Sequence, residues 1–156
     1  MKVASLNAKG LNDPPKLNSL WSWFFSLDID ILCLQEHKLH QYSTVQFYRG
    51  FTLCYGDIAA SYSGTLTIAR SSFSPSVSFN HSSRCCLGVS ITSPFGPLLI
   101  CNLYGFNDSP TRISLWQYLE SLPVWAGMLC GDFNVVEHSS ETSIGAAIMT
   151  QAEQVF

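Results

Sequence analysis

Apolar residues fall in short blocks along the chain, and the spacing inside each block identifies its element. Residues 2–6 form a short strand pattern that ends at Asn7. Gly10 and Asn12-Asp13 mark a loop. Pro14 and Pro15 suit a first helical turn, where the missing N–H costs nothing, and Asp13 is placed to cap it. Leu17, Leu20, Trp21, Phe24 and Phe25 recur at spacings of three and four, which predicts an amphipathic helix with its aromatics in the core. After Asp28-Ile29-Asp30, the unbroken run Ile31-Leu32-Cys33-Leu34 predicts a strand covered on both faces. It ends in Gln35-Glu36-His37-Lys38.

Residues 51–55, 64–69, 77–79 and 85–92 alternate or run apolar between clusters of Gly, Ser and Pro, and predict successive antiparallel strands. The Ser-rich residues 71–83 read as a hairpin or loop region. Pro97 precedes Leu98-Leu99-Ile100-Cys101, a buried strand that ends in Asn102-Leu103-Tyr104. Residues 105–110 read as loop and residues 111–121 as a helix, through Ile113, Leu115, Trp116 and Leu119. The run 124–129 predicts another buried strand, which stops at Gly131, Asp132 and Asn134. From Glu141 onward the pattern is mixed helical. Strands outnumber helices, which points to a layered α+β or α/β fold with helices on a mixed sheet.

The length of 156 residues suits one domain, residues 1–156, with enough apolar material for a core. Charged residues make up 12%, about half the usual level of roughly 25%. A net charge of −3 gives no bulk basic footprint. A nucleic-acid partner would therefore be held by a local patch or a bridging cation. No run approaches the roughly 18 apolar residues of a membrane span, so no membrane partner is expected. The N-terminus turns polar too early for a signal peptide, which predicts an intracellular chain whose six cysteines are thiols. Cys33, Cys101 and Cys130 sit in apolar runs as small hydrophobes. Cys85 and Cys86 lack the ligand spacing of a zinc site.

Several predicted strands end in polar residues: Asn7, Glu36, the pair Asn102 and Tyr104, and the pair Asp132 and Asn134. In an extended chain Asp132 and Asn134 point to one side. Strands of one sheet that end together would gather carboxylates, carboxamides and a phenol. Such a set suits a hard divalent cation such as Mg²⁺, which polarises a phosphoryl oxygen and lowers the pKa of bound water. Tyr104 could then bond a phosphate and Asn134 steady its charge. Each residue also has an ordinary reading: turn residues at Asn7 and Asp132, a solvated strand end at Glu36, a core aromatic at Tyr104. Spacing alone leaves both open.

Four motifs in order carry a resemblance. Ser5-Leu6-Asn7 with Gly10-Leu11, Leu34-Gln35-Glu36-His37-Lys38, Asn102-Leu103-Tyr104-Gly105-Phe106-Asn107 and Gly131-Asp132-Phe133-Asn134 resemble the successive motifs of the endonuclease/exonuclease/phosphatase superfamily. The chain is most similar to the apurinic-endonuclease-like domain of LINE-type retrotransposons, with Arg112 and Trp116 echoing an Arg-x-x-x-Trp helix. Ala8-Lys9 stands where the DNA-repair relatives have an acidic residue nearby. The resemblance implies a four-layered α/β sandwich, two mixed sheets flanked by helices, and metal-dependent hydrolysis of a phosphodiester in DNA. It implies that Glu36 binds Mg²⁺ or Mn²⁺ with Asn7 beside it, and that Tyr104 contacts the scissile phosphate or protonates the leaving group. Asp132 orients or deprotonates the attacking water, Asn134 stabilises the transition state and Asn107 supports the phosphate site.

The sequence departs from the family at its end. No Ser-Asp-His occurs, and His138 lies between Glu137 and Ser139. His37, His40 and His81 lack the context as well. The expectation is a domain without its C-terminal half, weak or inactive, with one sheet exposing an apolar face through which copies associate. Two alternatives differ in class: a non-catalytic fragment that only associates with nucleic acid or a partner, and a phosphatase of small substrates. A retroelement endonuclease would act in the nucleus.

Overall fold

The computed structural model describes residues 1–39, 49–55, 64–81, 85–122 and 127–135. Strand Val3–Asn7 (β1), helix Pro14–Ser26 (α1) and strand Ile31–Gln35 (β2) form one unit with its strands in parallel, Asn7 opposite Gln35. α1 starts as its sequence dictates: the Asp13 carboxylate accepts the Lys16 N–H at 3.4 Å, and prolines occupy the first turn. Phe51–Tyr55 (β3) and Leu66–Arg70 (β4) complete a sheet of order β1-β2-β4-β3.

Ser76–Asn80 (β5), Cys86–Ser93 (β6), Gly96–Tyr104 (β7) and Gly127–Asp132 (β8) make a second sheet in that order. Its first three strands are antiparallel. β7 and β8 are parallel, and helix Ser109–Ser121 (α2) lies between them in sequence. Each sheet is thus mixed, and each contains one parallel strand–helix–strand unit.

The layers follow from the alternation of side chains along each strand. On β2, Leu32 and Leu34 face α1 and pack with Leu20, Trp21 and Phe24. Ile31 and Cys33 face the other way and meet Leu87, Val89, Ile91 and Ile100 of the second sheet. On the far side of that sheet, Cys86, Cys101 and Leu103 pack under Leu115 of α2. The result is four layers: helix, sheet, sheet, helix. β2 is buried at every position because it is covered from both sides, and each large aliphatic there contributes about 1.5–3 kcal/mol.

Two expectations are corrected. The antiparallel strands are not one series: after β4 the chain makes a 3-10 turn at Ser71–Phe73 and crosses to the other sheet as β5. The Ser-rich stretch holds the turn and then β5, Ser76–Asn80, in agreement with the strand expected at residues 77–79. Nor does either sheet lack a partner, since the two inner faces cover each other. Exposed apolar side chains sit on the edge strands β1, β5 and β8, where Leu6, Val77, Met128 and Leu129 are 38%, 48%, 41% and 43% exposed. Residues 124–126 of the last expected strand and the expected helical tail from Glu141 lie outside the described residues. Among the described residues no helix is long and apolar enough to cross a membrane.

Candidate functional site

The two parallel pairs, β1 with β2 and β7 with β8, bring their carboxyl ends together on one rim of the sandwich. Asn7 ends β1, Glu36 follows β2, Tyr104 ends β7 and Asp132 ends β8. Asn7 Nδ2 donates to Glu36 Oε1 and to Asp132 Oδ2, each at 2.8 Å. One amide thus joins carboxylates from the two different sheets. The Tyr104 phenol stands near enough for the Glu36 and Asp132 charges to act on it. Lys38 Nζ stands 3.6 Å from Glu36 Oε2.

The backbone around these residues is held in special conformations. Glu36 and Asn134 have φ of +48° and +52°, a left-handed geometry that costs a non-glycine residue about 1–2 kcal/mol. Local hydrogen bonds hold it: Gly10 N–H donates to Glu36 O at 2.7 Å, and Asn134 N–H donates to Asp132 Oδ1 at 3.0 Å. Asn134 Nδ2 donates to Gly105 O at 2.6 Å, which ties the end of β8 to the end of β7. Two glycines make this approach possible. A Cβ on Gly131 (φ +155°) would lie 1.9 Å from Leu103 O, and one on Gly105 would lie 2.1 Å from Phe133 O.

The Asn7 amide holds the Glu36 carboxyl below its usual pKa, with help from Tyr104 and Lys38 against the opposing effect of burial. Burial raises the Tyr104 phenol, and the Glu36 and Asp132 charges add to this. The site therefore pairs an ionised Glu36 with a protonated phenol, which can donate to an anion.

Beneath the rim lies a polar group that the sequence reading did not separate from the site. Asn102 is fully buried between the sheets. Its Nδ2 donates to Leu34 O at 3.2 Å and Leu66 O at 3.0 Å, and its Oδ1 accepts from Gln35 Nε2 at 2.7 Å. Asn102 was grouped with Tyr104 at a strand end, but it faces inward because its neighbours Cys101 and Leu103 face α2. It positions β2 against β7. Arg112 and Trp116 support the other side. Arg112 Nη1 donates to Phe106 O at 2.6 Å, and Trp116 stacks on Phe133 with centroids 5.9 Å apart.

Of the residues marked in the sequence, Asn7, Glu36, Tyr104, Asp132 and Asn134 come together. Asn107 is exposed on the loop between β7 and α2, outside this hydrogen-bonded group. His81 turns to Tyr118 and to the Cys85 thiol, 3.6 Å away. His40 and His138 lie outside the described residues.

His37 accepts the Leu39 N–H at Nδ1, 3.1 Å away, and burial lowers its pKa from 6.5 to about 4. The folded chain keeps this ring neutral while the unfolded chain protonates it, so stability is full above pH 6.5 and falls as the pH drops toward 4. The expected loss across that window is about 3 kcal/mol, and urea melts at several pH values should show the slope flattened in His37→Gln.

The profile of the Endonuclease/Exonuclease/phosphatase family matches residues 3–150. No curated protein sequence matches significantly. Among solved structures, an AP endonuclease from Archaeoglobus fulgidus superposes with a TM-score of 0.72 at 19% identity, over 99% of this chain and 67% of that one. An AP endonuclease from Leishmania major gives 0.64 at 19% identity, over 88% and 55%. The endonuclease domain of TRAS1, a telomere-specific non-LTR retrotransposon, gives 0.62 at 13% identity, over 86% and 59%. The chain thus spans between about half and two thirds of the length of these structures.

Proposed function

Because the chain belongs to the endonuclease/exonuclease/phosphatase family, we propose that it carries a metal-dependent phosphodiesterase site of the retrotransposon endonuclease type, with DNA as substrate. One observation carries the reading: a single amide nitrogen, Asn7 Nδ2, bridges the Glu36 and Asp132 carboxylates from two separate sheets at 2.8 Å each. That is a place built for positive charge between two carboxylates.

The donor set fits a hard cation. Glu36 and Asp132 offer oxygens, and turning the Asn7 amide over would offer a third in place of its present bond from the Lys9 N–H at 3.0 Å. Among the described residues there is no cluster of three or more acidic, His or Cys side chains that could hold a metal. The two carboxylates, Glu36 and Asp132, suit Mg²⁺ or Mn²⁺, which is held by one or two carboxylates and keeps several waters. Glu36 and Asn7 would hold the ion, which supplies charge to a phosphoryl oxygen and a more acidic bound water. Asp132 orients the attacking water and takes its proton. Tyr104, kept protonated, donates to a phosphate oxygen or to the leaving group. Asn134 contributes a carboxamide beside the developing charge, and Asn107 reaches the phosphate from its loop. The sequence supplies no Ser-Asp-His, so turnover by this chain alone is slow.

Supercoiled plasmid tests the reading. Slow nicking that requires Mg²⁺ or Mn²⁺ and stops with chelator is the expected result. Turnover of inositol phosphates with no nicking would replace DNA by small phosphorylated substrates. The exposed apolar side chains on the edge strands favour one other reading, a non-catalytic chain that self-associates. Dimers in sedimentation, with neither nicking nor Mg²⁺ binding by calorimetry, would select it.

A further inference from the structure

We propose that Cys33 and Cys130 are a disulfide-forming pair that cross-links the two sheets directly beneath the candidate site. Cys33 lies on the inward face of β2, and Cys130 lies on β8. They are 97 residues apart in sequence, yet their Sγ atoms are 3.1 Å apart. A disulfide needs about 2.05 Å, so closure asks for roughly 1 Å of movement. β8 can supply it, because among the described residues it is an edge strand paired only with β7.

Access sets the order of events. Cys130 is half-buried, whereas the other five cysteines are buried. Its thiolate attacks a sulfur of a small disulfide such as oxidised glutathione, releasing one reduced glutathione and leaving a mixed disulfide. Cys33 then attacks Cys130 Sγ, and the second glutathione leaves with the Cys33 proton. Two thiols are oxidised, one disulfide of the oxidant is reduced, and no other reactant is needed. Cys86 and Cys101 also neighbour each other, but on the α2 side of the second sheet and both buried. They have no comparable entry.

The cross-link would lie three residues before Glu36 and two before Asp132. It would tie together the strands whose ends carry the two carboxylates.

The test is a peptide map of the native 156-residue chain, prepared without reductant after incubation in glutathione redox buffers. The expected product has two thiols fewer and one linked peptide pair, Cys33 with Cys130. Cys33→Ser should stop at a glutathione adduct on Cys130, and Cys130→Ser should keep its remaining thiols. In denaturant the pairing should scatter over several cysteines. Retention of all six thiols at high oxidant, a Cys86–Cys101 link in place of the expected one, or a Cys130–Cys130 dimer would overturn the proposal. None of these outcomes depends on nuclease activity.

Discussion

Asp132→Ala lowers the metal-dependent nicking rate by about 10²–10⁴-fold, the range expected when a positioned general base is removed. The proposed mechanism gives Asp132 that role, and its geometry suits it. One oxygen accepts the Asn7 amide at 2.8 Å and the other accepts the Asn134 N–H at 3.0 Å, so the carboxylate is fixed in orientation. Its strand places it on the rim, and the Gly131 backbone lets β8 approach β7 closely enough to bring it there. Glu36→Gln should act differently. It keeps the size of the side chain and an oxygen that can accept from Tyr104, but removes the charge. The expected result is a higher Mg²⁺ concentration at half-maximal rate, with a smaller loss at saturating metal. Rates of supercoiled-to-nicked conversion across a Mg²⁺ series separate the two effects. If both variants nick at the wild-type rate, the rim is not the active site.

Most of the architecture was legible because its signals are local. Asp13-Pro14-Pro15 and the Leu17 to Phe25 stripe fixed α1, and the unbroken Ile31–Leu34 run fixed a strand covered on both faces. The start of α2 was placed two residues late. Asp108-Ser109-Pro110 repeats the cap-and-proline signal of α1, and the Asp108 carboxylate does accept the Thr111 N–H at 3.0 Å; that signal could have found it. The division of the strands into two sheets was not legible, since alternation marks a strand without naming its neighbour. The gathering of Asn7, Glu36, Tyr104, Asp132 and Asn134 was read correctly from strand ends, but one premise was wrong. Asn134 does not share a side with Asp132 through an extended chain. It reaches the rim through a left-handed turn that folds its amide onto Gly105. Asn102 shows the limit of such reasoning from the other direction: it shares a face of β7 with Tyr104, and two residues of depth along the strand separate the core residue from the rim residue.

The burial of Asn102 has a large energetic consequence. Asn102→Leu is expected to destabilise the chain by about 2–4 kcal/mol, because buried polar partners are left without their bond. Gln35 Nε2 loses its 2.7 Å acceptor, and the carbonyls of Leu34 and Leu66 lose a donor from the opposite sheet. Gln35 retains weaker partners in Ser5 Oγ and Cys33 O at 3.1 and 3.2 Å, which keeps the loss below that of a fully orphaned amide. The same physics predicts strong non-additivity. Gln35→Leu alone orphans Asn102 Oδ1, whereas the double variant removes donor and acceptor together and replaces them with apolar volume at the same junction. Its destabilisation should therefore fall well short of the sum of the two single losses, by about 1 kcal/mol or more. Urea denaturation of the four proteins measures this cycle. A loss below about 0.5 kcal/mol for Asn102→Leu, the level of an ordinary surface change, would mean that Asn102 does not hold the sheets in register. In that case the alignment of Glu36 with Tyr104 would rest on the apolar contacts of Ile31, Cys33, Val89 and Ile100 alone.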